Sequence, residues 1–148
     1  MIQTPETYSD WVNLFEKLKK HEDDESVVAA MERGSIPWQS GVAERFSVKL
    51  VEAVNKRLDD ANDRFKRNMR LANGEGALIQ ALNALRKDIV LMKRVVSINA
   101  IPPEIREKYV NMVREFADSS QRSLEDSSKN DRTGRLRFIV RNHSVNRI

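Results

Sequence analysis

Residues 46–96 read FSVKLVEAVNKRLDDANDRFKRNMRLANGEGALIQALNALRKDIVLMKRVV. Phe46, Leu50, Val54, Leu58, Ala61, Phe65, Met69 and Ala72 recur every three or four positions, a helical period held across the whole run. Asn73 and Gly74 interrupt it. The period resumes at Leu78, Leu82, Leu85, Ile89, Met92 and Val96, alternating by four and three as a heptad seam does. Two apolar stripes of matching length across a short turn predict two helices, over about 40–72 and 75–99, packed antiparallel as a hairpin. The second helix carries a further stripe, Ala81, Ala84, Leu91, Val95 and Ile98, so two of its sides call for cover.

Outward from the hairpin, Thr4-Pro5-Glu6 predicts a helix start, with Thr as N-cap and Pro in the first turn. Tyr8, Trp11, Val12, Phe15 and Leu18 give this first helix its apolar face. A second short helix fits residues 25–33, stopped by Gly34. Pro37 biases Ile36 towards extended geometry, so 35–40 reads as a connection. Pro102 and Pro103 separate the fourth helix from a fifth, which turns Ile105, Tyr109, Met112, Val113 and Phe116 inward. After Ala117 the composition changes: 118–134 holds one large apolar residue, Leu124, and five serines, which predicts a fraying helix end and a linker. In 135–141, Leu136, Phe138 and Val140 alternate with Arg135, Arg137 and Arg141, a strand-like pattern broken at Ile139. The expected fold is all-α: an elongated helical bundle built on the long antiparallel hairpin over residues 1–128. A flexible basic tail over 129–148, strand-forming or disordered, follows it.

The chain has 148 residues, 32% of them charged, and a mean hydropathy of −0.59. No apolar run approaches the ~20 residues of a membrane span, so no membrane is expected and a cytoplasmic location is. The absence of cysteine excludes disulfides, thiolate metal sites and a cysteine nucleophile. Charge is unevenly distributed. Residues 1–34 carry eight acids and four bases, whereas 129–148 carry one acid, Asp131, and six bases. A net charge of +4 with this polarity suits an acidic protein or a nucleic acid as partner.

Catalytic and metal-binding patterns are not found. His21-Glu22-Asp23-Asp24-Glu25 shares only its first two letters with a zincin motif, and acids there read as a solvated link that favours the next helix start. Gly74 and Gly76 read as a helix–helix turn rather than a phosphate loop. The serines of 119–128 lack the apolar support that holds a nucleophile rigid. A helix-turn-helix echo over 26–40 fails at Pro37 and Ser40. The chain is therefore read as no enzyme, with no cofactor, no metal and no catalytic residue assigned.

Two surfaces remain. The tail is too apolar for a solvated segment and too short for a second core, so Arg135, Leu136, Arg137, Phe138, Val140 and Arg141 are assigned to partner binding, together with loop residue Trp38. The alternative is a nucleic-acid surface on the third helix, formed by Arg45, Lys49, Arg64, Lys66, Arg67 and Arg70 with the tail. Against it, Glu52, Asp60 and Asp63 precede Lys56, Arg64 and Arg67 by four, the favourable order for intrahelical pairs. The expected function is a non-catalytic helical interaction protein, an adaptor or scaffold with an unidentified protein partner and self-association as a homodimer. The alternative is a nucleic-acid-binding accessory protein.

Overall fold

A computed structural model of the protein describes residues 2–36 and 41–148. The described residues form an all-helical bundle with no strand: α1 (Tyr8–Lys19), α2 (Asp24–Arg33), α3 (Val42–Leu71), α4 (Glu75–Val96), α5 (Pro103–Ser128) and α6 (Arg135–Asn142). They divide into two compact units. One comprises the chain up to Arg57 together with Leu91–Val110, and the other comprises Leu58–Val90 and Asn111–Ile148.

In the first unit, α1 starts later than the Thr4 cap implies. The N-cap is Thr7, whose Oγ1 accepts from the Asp10 amide at 3.1 Å while Asp10 accepts from the Thr7 amide at 3.1 Å. This reciprocal pair satisfies two amides that a helix start otherwise leaves open. Pro5 is instead buried ahead of the helix, and its carbonyl accepts from the Ser35 amide at 3.1 Å. Trp11 is fully buried, donates from Nε1 to the Ser35 carbonyl at 2.8 Å, and meets Phe46 edge-on at 5.3 Å between ring centroids. Gly34 follows α2, but not in the left-handed conformation of a helix stop: its φ is −76°. A Cβ there would stand 2.7 Å from Pro5 Cγ and 2.8 Å from Trp11 Cζ2. Close approach, not backbone freedom, requires glycine at this position.

Arg57 of α3 is 1% exposed and forks onto Asp24, Nη1 to Oδ1 at 2.7 Å and Nη2 to Oδ2 at 2.9 Å. Its Nη1 also donates to the Leu18 carbonyl at 3.1 Å. One side chain thus joins the last turn of α1 to the first of α2. Between them, His21 and Asp23 adopt φ of 60° and 51°, a left-handed geometry in which non-glycine residues are strained.

The hairpin is present. In the second unit, Leu58, Ala61 and Phe65 of α3 are buried, as are Leu78, Leu82, Leu85 and Ile89 of α4. Arg64 pairs with Asp88 at 3.7 Å, and Phe65 lines a groove with Leu85. Each pair straddles the turn symmetrically, as antiparallel neighbours do. Gly74, at φ 95°, makes that turn in a conformation glycine adopts without strain. Of the further stripe, Ala81, Leu91, Val95 and, just past the helix end, Ile98 are buried, and Ala84 is half-buried.

Two expectations are corrected. The fraying predicted after Ala117 does not occur, and α5 runs on to Ser128. Ala117, Gln121 and Ser128 are buried and continue the stripe from Val113 at helical spacing, with polar side chains standing where apolar ones mark a stripe. The strand read over 135–141 is a helix. Ile139, which breaks the alternation, is buried beside Val140, and Leu136 and His143 are half-buried. Positions 136, 139, 140 and 143 form a helical period that the alternation of arginines conceals.

Replacing fully buried Leu82 by Ala is expected to cost about 2–5 kcal/mol through the cavity it opens. Gly34→Ala is expected to cost about 1–3 kcal/mol by overpacking Pro5 and Trp11. Urea denaturation followed by circular dichroism measures both.

Candidate functional site

The site is α6 and the α5 segment beneath it, all within the second unit. The N-cap of α6 is Gly134, which has no side chain to cap with. Asp131 does this instead. Its Oδ2 accepts from the Leu136 amide at 2.8 Å and its Oδ1 from the Thr133 amide at 3.2 Å, while the Thr133 hydroxyl donates to it at 3.0 Å. The Leu136 amide first, then the Thr133 amide and hydroxyl, hold the Asp131 carboxyl below the usual carboxylate range.

The far end of α6 is fixed by a buried carboxamide. Gln121 Nε2 donates to the Val140 carbonyl at 3.2 Å, and its Oε1 accepts from the Val145 amide at 3.0 Å. Arg86 Nε donates to the Arg147 carbonyl at 2.8 Å, and Asn146 Nδ2 donates to Asp118 at 3.0 Å. Arg135 forks onto Glu75, with Nη2 to Oε2 at 3.0 Å and Nε to Oε1. One face of α6, with Ile139 and Val140, is therefore anchored, as is Val145 beyond it.

The opposite face carries Arg137, Phe138 and Arg141, all exposed, with Phe138 at 66%. Arg137 and Arg141 line a cleft with Arg122, Glu125, Asp126 and Lys129. Lys129 takes Asp126 at 3.2 Å, and Glu125 accepts from Gln121 Nε2 at 3.2 Å. Among the described residues, Arg122, Arg137 and Arg141 have no carboxylate at ion-pair distance.

The six tail residues assigned to partner binding thus separate. Arg137, Phe138 and Arg141 come together outward. Arg135 is engaged with Glu75, Leu136 is half-buried, and Val140, 2% exposed, is core rather than surface. Trp38 lies outside the described residues. Of the basic α3 residues, Arg45 lies 5.2 Å over the Tyr8 ring and Lys49 stands 3.8 Å from Glu52, both in the first unit. In the second, Arg64 pairs with Asp88, while Lys66, Arg67 and Arg70 are exposed with no carboxylate at ion-pair distance among the described residues. Two of the four acids after His21 are drawn into structure, Asp24 by Arg57 and Glu25 by Arg94 at 3.1 Å, while Glu22 and Asp23 are exposed.

Gln121 and Asp131 escaped the sequence reading. Asp131 two residues before Thr133 and three before Gly134 is an Asx-type turn signal that could have found it. Gln121 gives no such signal, because nothing local distinguishes a buried glutamine from a solvated one. Searches of protein families, of curated proteins and of solved structures found no match to this chain. Among the described residues no helix is long and apolar enough to cross a membrane.

Gln121→Leu would leave the Val140 carbonyl and Val145 amide unanswered in the interior, an expected cost of about 1–3 kcal/mol. Faster amide exchange at Val145 would locate the loss. Because folding depresses the Asp131 pKa, its contribution is full above the unfolded value and is lost as pH falls through the folded one. The start of α6 should therefore loosen in acid, read from the Leu136 amide resonance, and Asp131→Asn should remove that step.

Proposed function

We propose that this protein is a non-catalytic helical interaction protein of the cytoplasm, an adaptor that presents α6 to an acidic protein partner. The observation that carries this reading is Phe138, 66% exposed between Arg137 and Arg141 on a helix whose other face is anchored. Aromatic and arginine side chains dominate the energetics of protein interfaces. Arginines with no carboxylate at ion-pair distance among the described residues attract an acidic surface and set its orientation. A helix already held in place by Gln121 and Asp131 loses little freedom on binding, which favours affinity. Self-association, also part of this reading, has exposed Leu71 and Val48, at 82% and 60%, as apolar surface to serve it.

Affinity capture with the intact chain, with and without nuclease, tests the proposal. Phe138→Ser, and separately Arg137→Glu with Arg141→Glu, should each remove the captured protein while leaving helicity and Tm unchanged. Capture that survives both variants would overturn the reading. Capture abolished by nuclease, with affinity falling steeply as salt rises, would favour nucleic acid on Lys66, Arg67 and Arg70 instead. Sedimentation across the micromolar range decides self-association, and a concentration-independent monomer removes it.

A further inference from the structure

A second concavity lies wholly within the second unit, apart from the outward face of α6. Its volume is about 480 Å³, within the ~300–1,000 Å³ common for small-ligand sites. Phe65 and Met69 of α3, Leu85 of α4 and Leu124 of α5 make its apolar surface. Lys66 and Arg70, one helical turn apart, stand on the α3 side. Ser120, Ser123 and Ser127 line it from α5, and their spacing places them along one stripe of that helix. No aspartate or glutamate lines it.

The charges at this groove differ from those around it. Arg64 has Asp88, Lys129 has Asp126 and Arg135 has Glu75. Lys66 and Arg70 have no carboxylate at ion-pair distance among the described residues. Two cations beside an apolar surface, with neutral hydroxyl donors along the other side, complement a molecule that is apolar along its length and anionic at one end. An inorganic anion makes no use of the apolar surface. An extended chain fits it.

We propose that this groove binds an amphipathic carboxylate of the fatty-acid class. The chain lies on Phe65, Met69, Leu85 and Leu124, and the carboxylate is held by Lys66 and Arg70. The serine hydroxyls supply donors at the rim without adding charge. The site is independent of the α6 reading, since it uses none of Arg137, Phe138 or Arg141.

Calorimetric titration of the intact protein with dodecanoate, below its micelle concentration, tests the proposal, with dodecanol and acetate as comparisons. Dodecanoate should bind in the micromolar range and about tenfold or more tighter than dodecanol, with acetate undetected. The double variant Lys66→Gln, Arg70→Gln alters only exposed side chains and should bring dodecanoate to the level of dodecanol. Methyl resonances of Met69, Leu85 and Leu124 should shift on binding. Equal affinity for acid and alcohol would overturn the proposal, as would a carboxylate preference that survives the double variant or methyl shifts elsewhere. Displacement of dodecanoate by an acidic amphipathic peptide of higher affinity, or dimerisation that closes the groove, would assign it to a protein occupant instead.

Discussion

A helix leaves amides open at its start and carbonyls open at its end, and a chain of several helices must answer them or bury them unpaired. Here local caps answer some of them, Thr7 with Asp10 at α1 and Asp131 at α6, and side chains of other helices answer others. Arg57, in the middle of α3, takes the Leu18 carbonyl at the end of α1. Trp11 of α1 takes the Ser35 carbonyl beyond the end of α2. Gln121, far along α5, takes the Val140 carbonyl and the Val145 amide at the end of α6. Each polar group that closes an end is also fixed in register by the apolar residues around it, so helix termination and core packing are one constraint. A shift of α5 by a single residue would carry Gln121 off its stripe and leave α6 without its anchor.

This constraint explains where sequence reading succeeded. The hairpin rests on period alone: Phe65, Leu82, Leu85 and Ile89 are apolar where a buried helical face must be. Its turn at Gly74 is punctuated by residue types that have few other uses. The errors came where polar residues do structural work over long distance. Gln121 and Ser128 look like solvated positions, so α5 seemed to end early. Arginines at alternate positions of 135–141 imitated a strand because their long side chains leave the surface at any helical angle, whereas Ile139 and Val140 alone report the buried side. For the candidate site, the exposed part, Arg137, Phe138 and Arg141, was legible in composition. What makes it a surface, Gln121 and Asp131, lies outside that segment and was not.

The charge asymmetry of the chain acquires a structural meaning in these terms. Several acids near the N-terminus are taken up internally: Asp24 by Arg57, Glu25 and Glu32 by Arg94, and Glu16 by Lys19. The basic surplus at the C-terminus is taken up only in part, by the pairs of Arg135 and Lys129. Within the second unit, cations with no carboxylate at ion-pair distance among the described residues stand beside apolar surface in two places, at Phe138 and in the groove of Phe65 and Met69. A guanidinium or ammonium next to an apolar surface, with no acid at ion-pair distance, adds little to stability and is well placed to recognise something anionic.

The aromatic residues are divided as unequally as the charges. Trp11 is sealed against Phe15 and Phe46 with its indole N–H bonded, and the segments of the second unit contain neither tryptophan nor tyrosine. Emission from Trp11 therefore witnesses the first unit. A melting curve recorded by fluorescence would describe the part of the molecule around Arg57 and Gly34, and could show an intact protein after α6 had come away. The unit that holds both proposed recognition surfaces stays silent in indole emission until a tryptophan is placed in it.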